Sequence, residues 1–144
     1  MSVIANDLNE DVYVGLELPL NHNSDGFFRR TKTSLEQTKS NIKNLLLTKK
    51  GERLGNPKFG SNLFSVLFEQ EGDDTESKVE EAIRSAMSEF LPFVIIDNIE
   101  TKFSVRNKSA LNVSIQFSLN VDTTSLRKIS IDLSNYDITA TASN

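Results

Sequence analysis

Two pairs of acidic residues are the best candidates for catalysis in this sequence. Glu69 and Glu71 stand two residues apart, and Glu89 and Asp97 flank a break that contains a proline. Glycoside hydrolysis needs two carboxyl groups in different environments, one as a proton donor and one as a base or nucleophile. Acidic residues beside a helix start also offset the helix dipole, which explains such a cluster without any catalysis. The pairs therefore support a hydrolase only as an alternative function.

The residue types that most other chemistries require are missing. The chain has one histidine, His22, and no cysteine, so a metal site or a nucleophile–histidine pair would lack its other members. Gly51, Gly55 and Gly60 are irregularly spaced and follow a predicted helix, whereas a phosphate-binding loop follows a strand. We expect no catalytic residue, no metal and no cofactor.

Charge is unevenly distributed along the chain. The net charge is -4, but basic residues are concentrated between positions 29 and 58 and acidic ones between 69 and 89. This asymmetry suits docking between two different neighbours, although solvated faces produce the same pattern. The net charge argues against nucleic acid as a partner. No apolar run is long enough to span a membrane, and we expect no secretory leader and assembly in a host cytoplasm.

Helical periodicity predicts three helices in the middle of the chain. The first spans about 33–48, with Thr33 and Glu36 at capping-box positions and Gly51 as the C-cap. A short helix follows at about 62–68, and the longest spans about 75–90 before Pro92. The apolar stripe of the first helix consists of Leu35, Thr38, Ile42, Leu45 and Leu46.

From residue 95 onward the apolar period changes from 3.6 to 2, which indicates strands. The clearest strand spans 111–121, with weaker ones near 99–105 and 129–133 and a hairpin connection at 122–125. We therefore predict an α+β fold: an N-terminal extended arm, then two to three helices packed on a three-stranded antiparallel C-terminal meander. The predicted boundaries are 1–33 for the arm, 34–133 for the domain and 134–144 for a tail.

The connection between the first two helices carries a distinctive run of residues. Leucines end the helix, a Thr-x-x-Gly-Glu-Arg turn follows, and then come Pro-x-Phe-Gly and Leu-Phe-Glu. This run resembles the phage baseplate wedge and sheath-initiator family, and the similarity covers about residues 34–133. The residues that carry it are Leu45, Leu46, Thr48, Gly51, Glu52, Arg53, Pro57, Phe59, Gly60, Leu63, Leu67, Phe68 and Glu69.

The chain departs from this family at one place. Family members follow the long helix with Glu-Pro-Arg, a charged motif implicated in docking, whereas this chain has Leu91, Pro92 and Phe93. The proline keeps its role as a helix stop, but both charges are gone. The resemblance therefore implies a docking contact here that is apolar or is made by a neighbouring group.

The resemblance implies a structural subunit of a contractile phage tail baseplate, located in the virion, and not an enzyme. The family has a lysozyme-like wedge fold that is also found in the type VI secretion baseplate. The implied partners are baseplate wedge core proteins and the tail sheath protein, with tail tube or hub proteins as further partners. Residues that we expect to dock on the wedge are Lys50, Glu52, Arg53, Leu91, Pro92 and Phe93.

The family also implies that the subunit initiates the sheath by strand exchange, in which a sheath segment adds a strand to its sheet. We expect the strand with Ile129, Ile131 and Leu133 to present the edge that is used. Two alternatives remain open: a lysozyme-like peptidoglycan hydrolase of the tail, and a self-assembling adaptor unrelated to tails.

Overall fold

The computed structural model describes residues 11–18, 20, 28–68, 74–103, 111–120 and 122–132. In the described part of the arm, strand β1 (Gly15–Leu16) pairs antiparallel with strand β2 (Arg30–Thr31). Leu18 donates its backbone N–H to the Ser40 hydroxyl at 3.3 Å. This described part of the arm is therefore held against the first helix.

Helix α1 spans Ser34–Leu47 and begins with the predicted cap. The Thr33 hydroxyl accepts from the Glu36 N–H at 3.2 Å, and the Glu36 carboxylate accepts from the Lys32 N–H at 3.1 Å. The predicted C-cap at Gly51 is wrong. Thr48 caps the helix in an extended conformation, because its hydroxyl donates to the Asn44 carbonyl at 2.6 Å and closes the last turn there.

Two further helices follow. Helix α2 spans Leu63–Phe68, and helix α3 spans Thr75–Phe90 with the bounds that the sequence predicts. The Leu91 N–H donates to the Met87 carbonyl at 2.8 Å, which completes the last turn of α3 before Pro92. Because proline has no N–H to donate, the helix cannot continue past this point.

The remaining strands, β3 (Val94–Phe103), β4 (Leu111–Leu119) and β5 (Asp122–Asp132), form one antiparallel sheet in the order β3-β4-β5. The mixed helix-and-strand class with antiparallel strands is thereby confirmed. The connection predicted at 122–125 is wrong, because Leu119 already pairs with Asp122. Two threonines follow Asp122, and threonine suits a strand better than a loop.

The core lies between this sheet and the helices. Val113, Ile115 and Phe117 on β4 are fully buried, as their alternation with polar residues predicts. Helices α1 and α3 supply the opposite side of the same cluster, with Ile42, Leu45, Leu46, Val79, Ile83, Ala86 and Met87. Among the described residues, no helix is both long and apolar enough to cross a bilayer.

Candidate docking surface

The connecting loop, residues 48–62, carries most of the recognised motif and has a dense network of backbone hydrogen bonds. The Gly51 N–H donates to the Pro57 carbonyl at 2.8 Å, and the Ser61 N–H donates to the Thr48 carbonyl at 2.9 Å. Lys49 and Ser61 form a parallel bridge where the two ends of the loop meet. The loop is therefore a closed structure that presents its residues in fixed positions.

The two motif glycines have different structural roles in this loop. Gly60 has a φ of 126°, and a β-carbon there would lie 2.5 Å from the Thr48 carbonyl oxygen. Gly51 has a φ of 91°, but a β-carbon there would meet nothing within 4 Å. Gly60 thus permits the close approach of the two loop ends, whereas Gly51 only supplies a left-handed turn residue.

Ser61 connects the first two helices and was missed by the sequence analysis. Its buried hydroxyl donates to the Leu46 carbonyl at 2.8 Å and accepts from the Leu63 N–H at 3.4 Å. It therefore satisfies an end carbonyl of α1 and an N-terminal amide of α2 together. A serine just before a short apolar helix was the available signal.

Aromatic and charged contacts attach the loop to the end of α3. The Arg53 guanidinium lies 4.0 Å from the centroid of the Phe59 ring, and this ring packs edge-on against Phe90 at 5.2 Å. Lys50 Nζ lies 3.6 Å from the Glu89 carboxylate. The structure thereby brings the basic turn beside the segment that leads into Leu91–Phe93, so the two groups predicted to dock lie at one site.

The three residues that replace the family's charged motif are not equivalent. Leu91 is only 7% exposed and belongs to the core, so its side chain packs inward. Pro92 is exposed, and Phe93 is 41% exposed. The Phe93 carbonyl accepts from the Asn120 N–H at 2.9 Å, which fixes this corner to the end of β4.

The exposed side of the loop contains a residue that the motif does not predict. Leu54 is 96% exposed at the tip, directly after the ring-stacked Arg53. Glu52, one of the predicted docking residues, accepts from the Lys49 N–H at 3.1 Å and so closes the turn. Pro57 is exposed as well. We define the docking surface as Lys50, Glu52, Arg53, Leu54, Pro92 and Phe93.

The rest of the motif supports the core or lies outside the described residues. Leu67 is half-buried against the core, and Phe68 ends α2. Glu69 and Leu133 lie outside the described residues, as do Glu71 and His22. Of the acidic pairs, Glu89 pairs with Lys50 at the surface and Asp97 is exposed. In the described ranges, no group of three or more His, Cys, Asp or Glu residues is placed to hold a metal.

The predicted sheath-contact strand lies at the edge of the sheet. Ile129 and Ile131 are 5% and 4% exposed, so their side chains belong to the core. Within the part of the chain that the structure describes, β5 pairs only with β4. Any added strand would therefore meet the backbone of β5 and not these two isoleucines.

Several solved structures have a similar fold. A crystal structure of a candidate tail lysozyme from Geobacter sulfurreducens has a TM-score of 0.62 at 18% identity, over 69% of this chain and 89% of that one. A chain of the anti-feeding prophage baseplate has the same TM-score and identity, over 73% and 83%. A chain of the type VI secretion baseplate complex has a TM-score of 0.57 at 12% identity, over 68% and 90%.

Sequence comparison is more specific than the shared fold. The family model for baseplate wedge protein gp25 matches residues 33–124, which is more than half of the chain. The chain therefore belongs to the baseplate wedge protein family, as the loop motif indicates. No curated protein matches the chain at a significant level.

Proposed function

We propose that this chain is a structural subunit of a contractile tail baseplate that joins the inner wedge proteins and initiates the sheath by strand exchange. It acts in the virion after assembly in a host cytoplasm. The observation that carries the proposal is family membership over residues 33–124, together with a motif loop fastened to α3 beside an exposed corner. The domain forms from residues 34–133, with 1–33 as an arm and 134–144 as a tail.

The docking surface is the proposed contact with the wedge core proteins. It combines two exposed apolar side chains, Leu54 and Phe93, with charged side chains close by on Lys50, Arg53 and Glu89. Exposed apolar anchors surrounded by charged groups are typical of protein–protein contacts. The ion pair of Lys50 and Glu89 also places one positive and one negative charge beside the corner where relatives carry Glu-Pro-Arg. Neighbouring groups thus take over the lost charges.

The edge of β5 is the proposed site of strand exchange with the sheath protein. The sheet has two edges, and β3 at the other edge has an irregular register between Ile96 and Asn98, with exposed Asp97 between them. A bulge and a charge are the usual means by which a protein protects an edge from further pairing. β5 also has an irregular register, opposite Phe117 and Leu119, and it carries Arg127 and Lys128. The choice of β5 therefore rests on the family resemblance and not on edge protection.

A pull-down from a producing-cell lysate tests this function, with partners identified by mass. Tagged wild-type protein should recover wedge and sheath proteins, and Phe93→Asp should lose the wedge proteins while it stays folded. Ser85→Asp on α3 is the control, because Ser85 is also exposed but lies outside the docking surface. Recovery of neither protein class by the wild type contradicts the proposal. A closed homo-oligomer in size-exclusion chromatography would instead favour the self-assembling adaptor.

Peptidoglycan hydrolysis is the second candidate, because one structure of similar fold is that of a candidate tail lysozyme. At 18% identity this likeness concerns the fold alone. A zymogram with purified protein separates the two functions. We expect no clearing, and clearing that Glu69→Gln abolishes would support the hydrolase.

A further inference from the structure

A groove of about 520 Å³ lies between the arm, the second half of α1 and the connecting loop. Its walls are formed by Leu18, Lys43, Asn44, Leu47, Thr48, Glu52 and Arg53. Binding pockets commonly hold about 300–1,000 Å³, so this groove has room for a few residues of an extended or helical peptide. The hydrogen bond between Leu18 and Ser40 fixes the arm side of the groove.

Charge in the groove is positive and incompletely balanced. Lys43 is half-buried, and its side chain makes no hydrogen bond or ion pair with the described residues. Lys39 lies one turn before it on α1, and like charges at this spacing repel one another. The Arg53 guanidinium is held in place by the Phe59 ring.

Among the described residues that line the groove, the one acidic residue already has a structural task. The Glu52 carboxylate accepts from the Lys49 N–H and closes the turn. The groove thus presents two cations, Lys43 and Arg53, and one anion, Glu52, beside apolar side chains of Leu18 and Leu47. Such a surface attracts a ligand that carries both carboxylates and an aliphatic side chain.

We propose that this groove binds an acidic segment of a neighbouring protein, with a leucine-like side chain between Leu18 and Leu47 and carboxylates on Lys43 and Arg53. The inference rests on the proposed function only for the identity of the neighbour, a baseplate protein. A nucleic acid is the less favoured ligand, because the net charge of -4 opposes binding of a phosphate backbone.

Titration of the isotope-labelled full chain with synthetic peptides tests the inference by NMR. The probe is a short peptide that repeats Leu-Glu-Glu, and its controls repeat Ser-Glu-Glu and Leu-Lys-Lys. We expect saturable shifts of backbone amides within residues 43–53 with the probe, and binding at least about tenfold weaker with either control, a difference of about 1.4 kcal/mol.

Charge variants of the chain locate the site. Lys43→Glu should weaken binding of the probe at least about tenfold, with Lys43→Gln intermediate. Lys102→Glu is the matched control, since Lys102 is exposed on β3 away from the groove, and it should leave binding unchanged. Unaltered thermal unfolding shows that each variant is folded.

Several results overturn the inference. They are absence of binding by the probe, equal binding of all acidic peptides, or tighter binding of a DNA oligonucleotide than of the probe. Residues 1–10 themselves contain Asp7, Leu8 and Glu10. If deletion of these ten residues shifts the NMR signals of the groove amides, the occupant of the groove is this segment of the same chain. If the probe peptide does not bind while the pull-down recovers wedge proteins, this inference falls and the proposed function stands. If the probe peptide binds while the pull-down recovers no wedge proteins, the inference stands and the proposed function falls.

Discussion

Gly60 and Gly51 differ in how much space the loop leaves for a β-carbon. Both residues have a positive φ, yet only Gly60 lies against backbone, with the Thr48 carbonyl oxygen 2.5 Å from the place of a β-carbon. A side chain at Gly51 would cost only the strained backbone conformation. A side chain at Gly60 would also force the two ends of the loop apart.

Alanine substitutions at the two glycines should therefore differ in effect. We expect Gly51→Ala to lower the free energy of unfolding by about 1 kcal/mol, and Gly60→Ala by about 3 kcal/mol or more. Urea unfolding of both variants beside the wild type measures the difference. Equal losses would show that the close approach at Gly60 contributes nothing.

Leu54 should affect binding without affecting stability. Because its side chain is 96% exposed, Leu54→Ser should change the free energy of unfolding by no more than about 0.5 kcal/mol. The same variant should recover less wedge protein in the pull-down, whereas Leu54→Ile, which keeps the apolar surface, should recover it normally. Wild-type recovery by Leu54→Ser would remove this residue from the docking surface.

At the scale of elements, the helices and the sheet meet through one side of β4. Its buried residues alternate with polar ones, and Ile115 faces Ile99 on β3 and Ile129 on β5. The alternation explains why one face of the sheet packs on α1 and α3 and the other remains polar.

Two isoleucines of the sheet provide a matched test of this packing. Ile115→Ala should lower the free energy of unfolding by about 2–5 kcal/mol, because Ile115 is fully buried. Ile95→Ala should change it by about 0.5 kcal/mol or less, because Ile95 is 41% exposed. Thermal or urea unfolding measures both, and similar losses would contradict the assigned faces.

The helices and strands were predictable wherever apolar residues recur at a regular spacing or a proline ends a helix. Helix α3 was predicted with its observed bounds because its apolar period is regular and Pro92 ends it. The start of β5 was missed, because its first residues are polar and only pairing with β4 makes them a strand. The sequence predicts a C-cap at Gly51, because a glycine after two lysines is a common helix end. The hydrogen bond from the Thr48 hydroxyl to the Asn44 carbonyl, which ends the helix earlier, leaves no comparable pattern in the sequence.

The candidate site was predictable only in part, for a physical reason. The motif pointed to the loop, but the contacts of Lys50 with Glu89 and of Phe59 with Phe90 join segments that are far apart in sequence. Burial of Leu91, exposure of Leu54 and the groove beside Lys43 likewise depend on tertiary packing. No local pattern in the sequence carries that information.

At the scale of the whole molecule, the proposed subunit has two working sides: the docking surface and the edge of β5. Docking needs side chains on the loop and the corner, whereas strand exchange needs only backbone groups of an edge strand. The two tasks should therefore be separable by mutation.

A lysine on β5 should block sheath formation but not baseplate formation. Ser130→Lys places a charge on the edge strand, and charges at an edge discourage further pairing. Ser114→Lys is the control, because Ser114 lies opposite Ser130 on the central strand β4. Electron microscopy should show baseplates without sheaths for Ser130→Lys and sheathed tails for Ser114→Lys. Sheathed tails in both would argue against strand exchange at β5.

Electron microscopy of tails from producing cells that lack this chain tests the central claim most directly. The account predicts that complete baseplates and sheathed tails are absent without the chain, and that the wild-type chain supplied in trans restores them. Normal sheathed tails in cells that lack the chain would contradict its role as a baseplate subunit.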